Sequence, residues 1–402
     1  MLAIKRFAWL LLFALTATCG WAQTLLPPVN EPPPSITFPA IRESRLDDVS
    51  RVFSVRFPSP VTTEVVENNT VGVRCYVPAQ ATGPVPVVLI LHYWGAKDLR
   101  IEEGIAIQLN ELGIGAALIS LPYHLERRPP NTVSGALAVR PDPSALREMM
   151  TQSVLDIRRT VDFLLTRPEF DGTKIGISGI SLGSIVASLT YAVDSRIRSA
   201  CFTLGGIDLA KLIWTSSRIT TERDVLRRKG YTEAKLRDEL ASVEPGLYLP
   251  QRKTGAAFVI QARYDTVVPQ VCSQELIDAL PNPQILQIDT GHYGGALVQR
   301  RLTREMVTFF SREFSGQLYR APKGILTPTI RIGAGVFSPK GFDAAVGLDL
   351  IRSRHGSPFL SLLITPREPR LYLGLPLTVN LSVGAYLSAA RVGIGLLWSI
   401  VL

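Results

Sequence analysis

The sequence predicts an α/β fold, in which a mostly parallel sheet is flanked by helices, with an antiparallel β-rich segment after it. Two observations predict this. From Val71 to about Gly316, short apolar runs alternate with longer amphipathic segments, a pattern typical of parallel strands and covering helices. Beyond Gly316, apolar residues recur at every second position without a helical pattern, which indicates antiparallel strands. A chain of 402 residues suits one large domain and one smaller domain.

The first residues have the pattern of a secretory signal peptide. Lys5 and Arg6 precede the apolar run Phe7 to Ala17, and a small-residue cleavage site ends at Ala22. The apolar run is too short to span a bilayer, and a lipoprotein signal at Cys19 is the weaker alternative. We therefore predict a signal peptide over 1–22 and an exported protein of the bacterial periplasm or outer membrane, with release from the cell as an alternative.

The next residues, 23–50, are rich in proline and predict an extended tether. The α/β domain is expected over 51–316. Its predicted strands are Val71–Val77, Val85–Leu91, Ala116–Leu121, Lys174–Ser178, Ser199–Leu204, Ala257–Ala262 and Gln284–Ile288.

The clearest predicted helix runs from about Ala145 to Leu165. Its apolar residues recur at helical spacing, while Arg147, Asp156, Arg158 and Arg159 are expected to face mostly away from the core. A stretch at about 207–253 interrupts the strand alternation and predicts a small cap over the strand ends. Its aromatic residues either line a pocket or pack the cap onto the body: Trp214, Tyr231 and Tyr248.

Charge and cysteine content exclude some functions. The net charge of +9 comes from short basic groups mixed with acidic and apolar residues, so solvated faces are favoured over a nucleic-acid surface. The groups are Arg127-Arg128, Arg158-Arg159, Arg227 to Lys229 and Arg300-Arg301. Removal of the signal leaves an odd number of cysteines, Cys75, Cys201 and Cys272, which favours buried thiols over a disulfide framework. No CxxC motif or Cys/His cluster suggests a metal site.

The segment 317–402 alternates apolar residues with small or polar ones, as in Ile330 to Val336 and Val379 to Leu387. This pattern resembles an outer-membrane β-barrel, whose strands present apolar residues to lipid. A soluble antiparallel sheet with one packed face is the alternative. Five or six strands are fewer than the roughly eight of the smallest single-chain barrels, so closure would need several chains or a shared wall. Membrane association and oligomer formation both stay open.

The sharpest motif is Gly179-Ile180-Ser181-Leu182-Gly183, which follows a predicted strand and precedes a helical stretch, Ser184 to Val193. A serine in such a sharp turn is lifted above the sheet, and flanking side chains would collide with backbone. The spacing therefore predicts Ser181 as a nucleophile.

A serine hydroxyl needs a base, which is usually histidine. Of the chain's 4 histidines, His292 lies in a short loop after the last predicted strand, and the positions of His92, His124 and His355 suit the role less well. A carboxylate must then hold the imidazole in one tautomer. Asp265 follows the strand Ala257–Ala262 at the same sheet edge as Ser181, whereas Asp289, the competitor, is expected to end a strand and point elsewhere.

The developing oxyanion needs backbone donors. The amide of Leu182 is one candidate. The second is expected in the loop after Leu91, from Trp94 first and Tyr93 as runner-up, although both aromatic residues could merely wall the pocket.

With these motifs, the segment Val71 to Phe314 resembles the α/β-hydrolase superfamily, and its layout looks like the dienelactone hydrolase, acetyl xylan esterase and prolyl oligopeptidase-type branch. One departure is that the usual His-Gly pair of the oxyanion loop is His92-Tyr93 here. The resemblance implies hydrolysis of a small-molecule ester or a related acyl compound through an acyl-enzyme, without a metal or an organic cofactor. It implies nothing about the β-rich tail.

Three functions are carried forward. The leading one is a serine hydrolase that cleaves a carboxylic ester. A serine peptidase of the prolyl oligopeptidase type comes next, with lower standing because no propeller precedes the hydrolase-like segment. The third is a membrane-anchored binding protein whose hydrolase-like domain is inactive.

Overall fold

The structure, a computed structural model, describes residues 27–325, 327, 329–339, 341–351, 358–378 and 380–402. The predicted signal peptide, Cys19, His355 and Val379 lie outside the described residues.

The described part of 27–325 contains a nine-stranded sheet in the order β1-β2-β3-β5-β4-β6-β7-β8-β9. Strands β1, β2, β3 and β5 pair antiparallel, and β5, β4 and β6 to β9 pair parallel. The mostly parallel sheet flanked by helices is confirmed. The strands are β1 (Arg42–Leu46), β2 (Ser50–Pro58), β3 (Thr70–Pro78), β4 (Val85–Leu91), β5 (Gly115–Ile119), β6 (Phe170–Ile180), β7 (Ile197–Thr203), β8 (Ala256–Ala262) and β9 (Gln284–Ile288).

All seven predicted strands of the domain are present, with small shifts at their ends. The prediction missed β1 and β2, although the alternation of Phe53, Val55 and Phe57 along β2 was a signal of period two; all three side chains are buried. The helices are α1 (Arg100–Glu111), α2 (Pro143–Leu165), α3 (Leu182–Val193), α4 (Leu209–Thr215), α5 (Thr220–Arg228), α6 (Glu233–Leu240), α7 (Pro245–Tyr248), α8 (Gln270–Ala279) and α9 (Gln299–Phe314). Short 3₁₀ helices span Val66–Asn69, Leu125–Arg127, Ala241–Val243, Leu249–Gln251 and His292–Val298.

Helix α2 starts with an Asp142 cap and is buried over most of its circumference. The expectation that its charged residues face solvent is wrong for Asp156, Arg158 and Arg159, which are all buried. Arg158 donates to the Val29 carbonyl at 2.8 Å, and Arg159 donates to backbone carbonyls at 2.7 and 2.8 Å. These bonds replace lost hydration, so the helix tolerates charge on the covered face.

Arg127 also departs from the prediction of a solvated face, because it is fully buried. Its guanidinium pairs with Asp156 at 2.8 Å and donates to the carbonyls of Asn68 and Ser120. Burial raises the pKa of the Asp156 carboxyl, while the Arg127 guanidinium opposes this shift. The other basic groups differ, since Arg227 to Lys229, Arg300 and Arg301 are exposed.

The proline-rich segment is extended, but it packs on the domain instead of hanging free. Val29 is buried and receives the Arg158 bond, and the Phe38 ring meets the Phe57 and Phe163 rings edge-on. Strand β1 then adds the segment to the sheet edge. The apolar residues between the prolines therefore cover α2, which explains why that helix has so little solvent-facing surface.

Cys75, Cys201 and Cys272 are free and buried, which confirms the prediction of buried thiols. Burial raises the pKa of the Cys201 and Cys272 thiols to about 12.

The β-rich segment closes into a barrel of six antiparallel strands within the described residues. They are β10 (Ile330–Phe337), β11 (Gly341–Ile351), β12 (Phe359–Ile364), β13 (Pro369–Pro376), β14 (Leu381–Ser388) and β15 (Val392–Val401). Strand β10 pairs with both β11 and β15, so the expectation that closure needs further chains or a shared wall is wrong.

Glycine makes room for this narrow barrel. An added Cβ at Gly335 would lie 2.9 Å from the Phe337 ring, and glycines at 374 and 395 likewise lie against the rings of Phe359 and Phe337. Large inward rings therefore alternate with positions that have no side chain, and the lumen fills without widening.

The barrel contacts the α/β domain beside β9. Ile325 forms a parallel bridge with Ile288, Thr329 Oγ1 donates to the Asp289 carbonyl at 2.7 Å, and the Gly291 amide donates to the Leu402 carbonyl at 2.9 Å. The loop after β9 is thus held by the barrel.

None of the helices in the described ranges is long and apolar enough to cross a membrane.

Candidate active site

Ser181 occupies a sharp turn between β6 and α3. Its φ of 53° and ψ of −114° place it in a backbone region that side chains rarely adopt. The Ser181 amide donates to the Thr203 carbonyl at 2.9 Å, and its carbonyl accepts from the Ser184 and Ile185 amides. These bonds hold the strained residue at the N-terminus of a 12-residue helix, whose dipole favours negative charge there.

The flanking glycines are required by close backbone contacts. An added Cβ at Gly183 would lie 2.5 Å from the His92 carbonyl oxygen and 2.6 Å from the Leu91 carbonyl oxygen, and one at Gly179 would overlap the Gly183 carbonyl. The turn is therefore pressed against the end of β4, as expected from the motif.

The structure brings the side chains of Ser181, His292 and Asp265 together, although they are far apart in sequence. His292 Nε2 lies 3.0 Å from Ser181 Oγ, and His292 Nδ1 lies 2.6 Å from Asp265 Oδ2. The other oxygen of Asp265 accepts from the amides of Val267 and Val268 at 2.9 and 2.8 Å. The carboxylate is thereby fixed at the end of β8, and it can orient the imidazole.

Asp289 has a different neighbour. Its Oδ1 lies 2.7 Å from Arg263 Nη1, whereas the carboxylate of Asp265 pairs with the His292 ring. His92, at the end of β4, and His124, after β5, are both buried. Burial lowers the pKa of His92 to about 4 and of His124 to about 3, which keeps both rings neutral at pH 7.

No protein-family model and no curated protein matches the chain, whereas solved structures do. The acetyl xylan esterase from Paenibacillus sp. R4 is 17% identical and has a TM-score of 0.54, over 67% of this chain and 87% of that one. The acetyl xylan esterase 1 from Thermoanaerobacterium sp. JW/SL YS485 is 15% identical with a TM-score of 0.52, over 66% of this chain and 87% of that one. The chain has the α/β-hydrolase fold. In enzymes of this fold, the nucleophile lies in a turn between a strand and a helix, and the triad residues follow in the order Ser, Asp, His. Ser181, Asp265 and His292 have the same order, and Ser181 lies in such a turn.

The three residues predicted to form or flank an oxyanion site border the nucleophile. Leu182 is the first residue of α3, while Tyr93 and Trp94 lie in the loop after β4 and line the cavity beside Ser181. The Trp94 indole donates to the Gly135 carbonyl at 2.8 Å, which fixes the ring as a wall. Both roles considered for Trp94 are compatible, because the backbone amide and the ring are separate groups.

Two cavities meet at Ser181. The larger, about 900 Å³, is bordered by Tyr93, Ile105, Met306 and His292. The smaller, about 80 Å³, lies under the cap and has an almost wholly apolar wall that includes Leu212, Ile213 and Ile219.

Arg218 lines both cavities, as do Trp94, Ser181 and Val267. The Arg218 guanidinium lies over the Trp94 ring, 4.9 Å from its centroid. Arg218 was not among the predicted site residues, and only its position in the cap could have indicated it. The cap aromatics Trp214, Tyr231 and Tyr248 instead pack against the core, which favours packing over pocket lining.

Proposed function

We propose that this chain is a serine hydrolase that cleaves carboxylic esters through an acyl-enzyme. The observation that carries the proposal is the continuous series of hydrogen bonds from Asp265 through His292 to Ser181, in a strained turn beside an apolar cavity. Esterases are also among the proteins with the same fold.

The proposed reaction follows from the hydrogen bonds. With Nδ1–H donating to Asp265, His292 Nε2 accepts the Ser181 proton while Oγ bonds to the ester carbonyl carbon. The carbonyl oxygen becomes an oxyanion beside the Leu182 amide and the amides of the Trp94 loop. The imidazolium then gives its proton to the departing alkoxide, which leaves an acyl group on Ser181. Water, deprotonated by the same imidazole, releases the acid and restores the serine.

The two cavities suit an ester with one small and one larger half. A nitrophenyl ring is too large for a cavity of about 80 Å³. In an aryl ester the acyl group therefore occupies the small cavity and the ring occupies the large one. The apolar walls give affinity by burial of apolar surface, about 25 cal/mol per Å².

The test compares the full chain with S181A. Turnover of p-nitrophenyl acetate and labelling by a fluorophosphonate should both disappear in S181A, while its circular dichroism spectrum stays unchanged. S184A is the matched control, because Ser184 is buried on the same helix and should remain labelled at Ser181. Labelling that persists in S181A would contradict the proposal.

The same panel separates the competing functions. Faster turnover of peptide amides than of esters would identify a peptidase instead. A folded wild-type chain that neither hydrolyses any ester or amide nor accepts the fluorophosphonate would identify an inactive binding domain.

A further inference from the structure

All four charged residues in the described part of strands β10 to β15 point into the lumen, beside the apolar and aromatic side chains that fill the rest of it. Arg331 pairs with Asp349 at 2.7 and 2.9 Å, and Arg370 pairs with Asp343 at 2.7 Å. All four side chains are buried in the lumen. The Arg370 guanidinium also lies over the Phe337 ring, 4.5 Å from its centroid. Such pairs cost desolvation energy, and in the barrel they leave no charged side chain on the outward face of the described strands.

The outer wall of the barrel, meaning the outward side chains of β10 to β15, is apolar. In the described part of these strands, each outward position carries an apolar residue. One representative per strand is between 43% and 68% exposed: Val336, Leu348, Ile364, Leu373, Leu387 and Ile394. The wall is therefore a continuous apolar surface without another described element of this chain packed over it.

The height of the wall is close to that of the lipid-facing band of membrane barrels. On β15 the outward residues run from Val392 to Ile400, a span of nine residues. At about 3.3 Å per residue this is roughly 27 Å along the strand, and a tilt of about 40° leaves roughly 20 Å along the barrel axis. The lipid-facing band of known membrane barrels is about 25 Å tall. Exposed Arg391 lies in the turn at the far end, where a cation can meet lipid headgroups.

The shape of the outer wall indicates what kind of partner covers it. An apolar patch on one side suits a protein partner, but this wall encircles a closed barrel with paired strand edges. A surrounding solvent of acyl chains covers all sides at once. We infer that the outer wall of the barrel lies in the hydrocarbon of a phospholipid bilayer, with the α/β domain at the membrane surface. This inference does not depend on the catalytic proposal.

The first test uses the depth dependence of charge in lipid. Leu396 sits at mid-height, paired with Val336 and Val383, whereas Val392 is at the end of the wall. L396R should lower the partition into vesicles of phosphatidylethanolamine and phosphatidylglycerol (3:1) by about 30- to 1000-fold, and V392R by less than about 5-fold. The full chain is diluted from detergent into the vesicles and floated through a sucrose gradient.

A second measurement does not depend on the folding of arginine variants. Trp398 points outward and is 48% exposed. Vesicles with dibrominated acyl chains should quench wild-type fluorescence, and W398F should lose that quenching while W214F keeps it. Equal quenching in W398F and the wild type would overturn the inference. The inference would also be overturned if the chain stayed at the bottom of the gradient after removal of detergent. A third contrary result would be a lipid-free oligomer in analytical ultracentrifugation, in which copies of the chain cover the outer wall.

Discussion

The contact between the barrel and the loop that carries His292 makes a sharp prediction about Gly291. This residue has an ordinary φ of −79°, so alanine fits its backbone conformation. An added Cβ would, however, overlap the Val401 carbonyl oxygen, far inside the 3.4 Å at which ordinary contact begins. The loop and the last strand of the barrel must therefore separate by a distance on the order of 1 Å.

The expected loss of activity follows from the Ser181–His292 distance of 3.0 Å. A misplacement of about 1 Å in a catalytic group can cost about 10²-fold in rate. We expect G291A to lower kcat for p-nitrophenyl acetate by about 10- to 100-fold, with little change in KM. G83A is the matched control, because nothing lies within 4 Å of an added Cβ at Gly83.

A double-mutant cycle isolates the contact. Deletion of Val401 and Leu402 removes the overlapping carbonyl together with the bond from the Gly291 amide, and alone it should lower kcat only a few-fold. Combined with G291A, the deletion should restore activity to the level of the deletion alone. Additive losses in the double variant, or an unchanged kcat in G291A, would refute a coupling between the barrel and the His292 loop.

Replacing Asp265 with Asn should lower kcat by about 10³- to 10⁴-fold, because an amide cannot hold the imidazole in the same tautomer. An equal loss in D289N would contradict the assignment of Asp265 as the acid that orients His292. Ile213→Ala enlarges the small cavity, so the ratio of kcat/KM for p-nitrophenyl butyrate over acetate should rise about 4-fold or more per added methylene, whereas I105A in the large cavity should leave that ratio unchanged. Burial raises the pKa of Glu102 to about 7, so the folded state binds its proton more tightly than the unfolded state does, and stability is lost as pH rises through about 7. The melting temperature of E102Q should therefore fall less between pH 5.5 and pH 8.5 than that of the wild type, and parallel curves would contradict the shift.

Local patterns were enough to predict most of the α/β domain. The run Val85–Leu91 is a strand with the predicted bounds, because a continuous apolar segment between turn signals has little alternative in a parallel sheet. The turn at Ser181 was equally predictable from the sequence. Two glycines around a serine, between a strand and a helix, allow a close approach of backbone segments that few other structures require.

Long-range contacts explain the predictions that failed. Arg158 and Arg159 of α2 look like part of a solvent-facing stripe in sequence, but the proline-rich segment lies over them, and its Val29 and Pro34 carbonyls accept their hydrogen bonds. No local pattern encodes that cover. Arg127 likewise differs from its exposed neighbour Arg128 because distant groups lie beside it in the fold: the Asp156 carboxylate, 29 positions away, and the Asn68 carbonyl.

The sequence by itself determined the type of most elements of the α/β domain, the candidate residues Ser181, Asp265 and His292, and the alternation of apolar with small or polar residues along the barrel strands, because all of these follow from local spacing. Only the tertiary structure decided that six strands close on themselves, that the barrel touches the His292 loop, and that two cavities meet at the serine. Closure and cavity shape depend on which distant side chains fill the same space, and pairing between distant segments leaves no periodic trace in a single sequence.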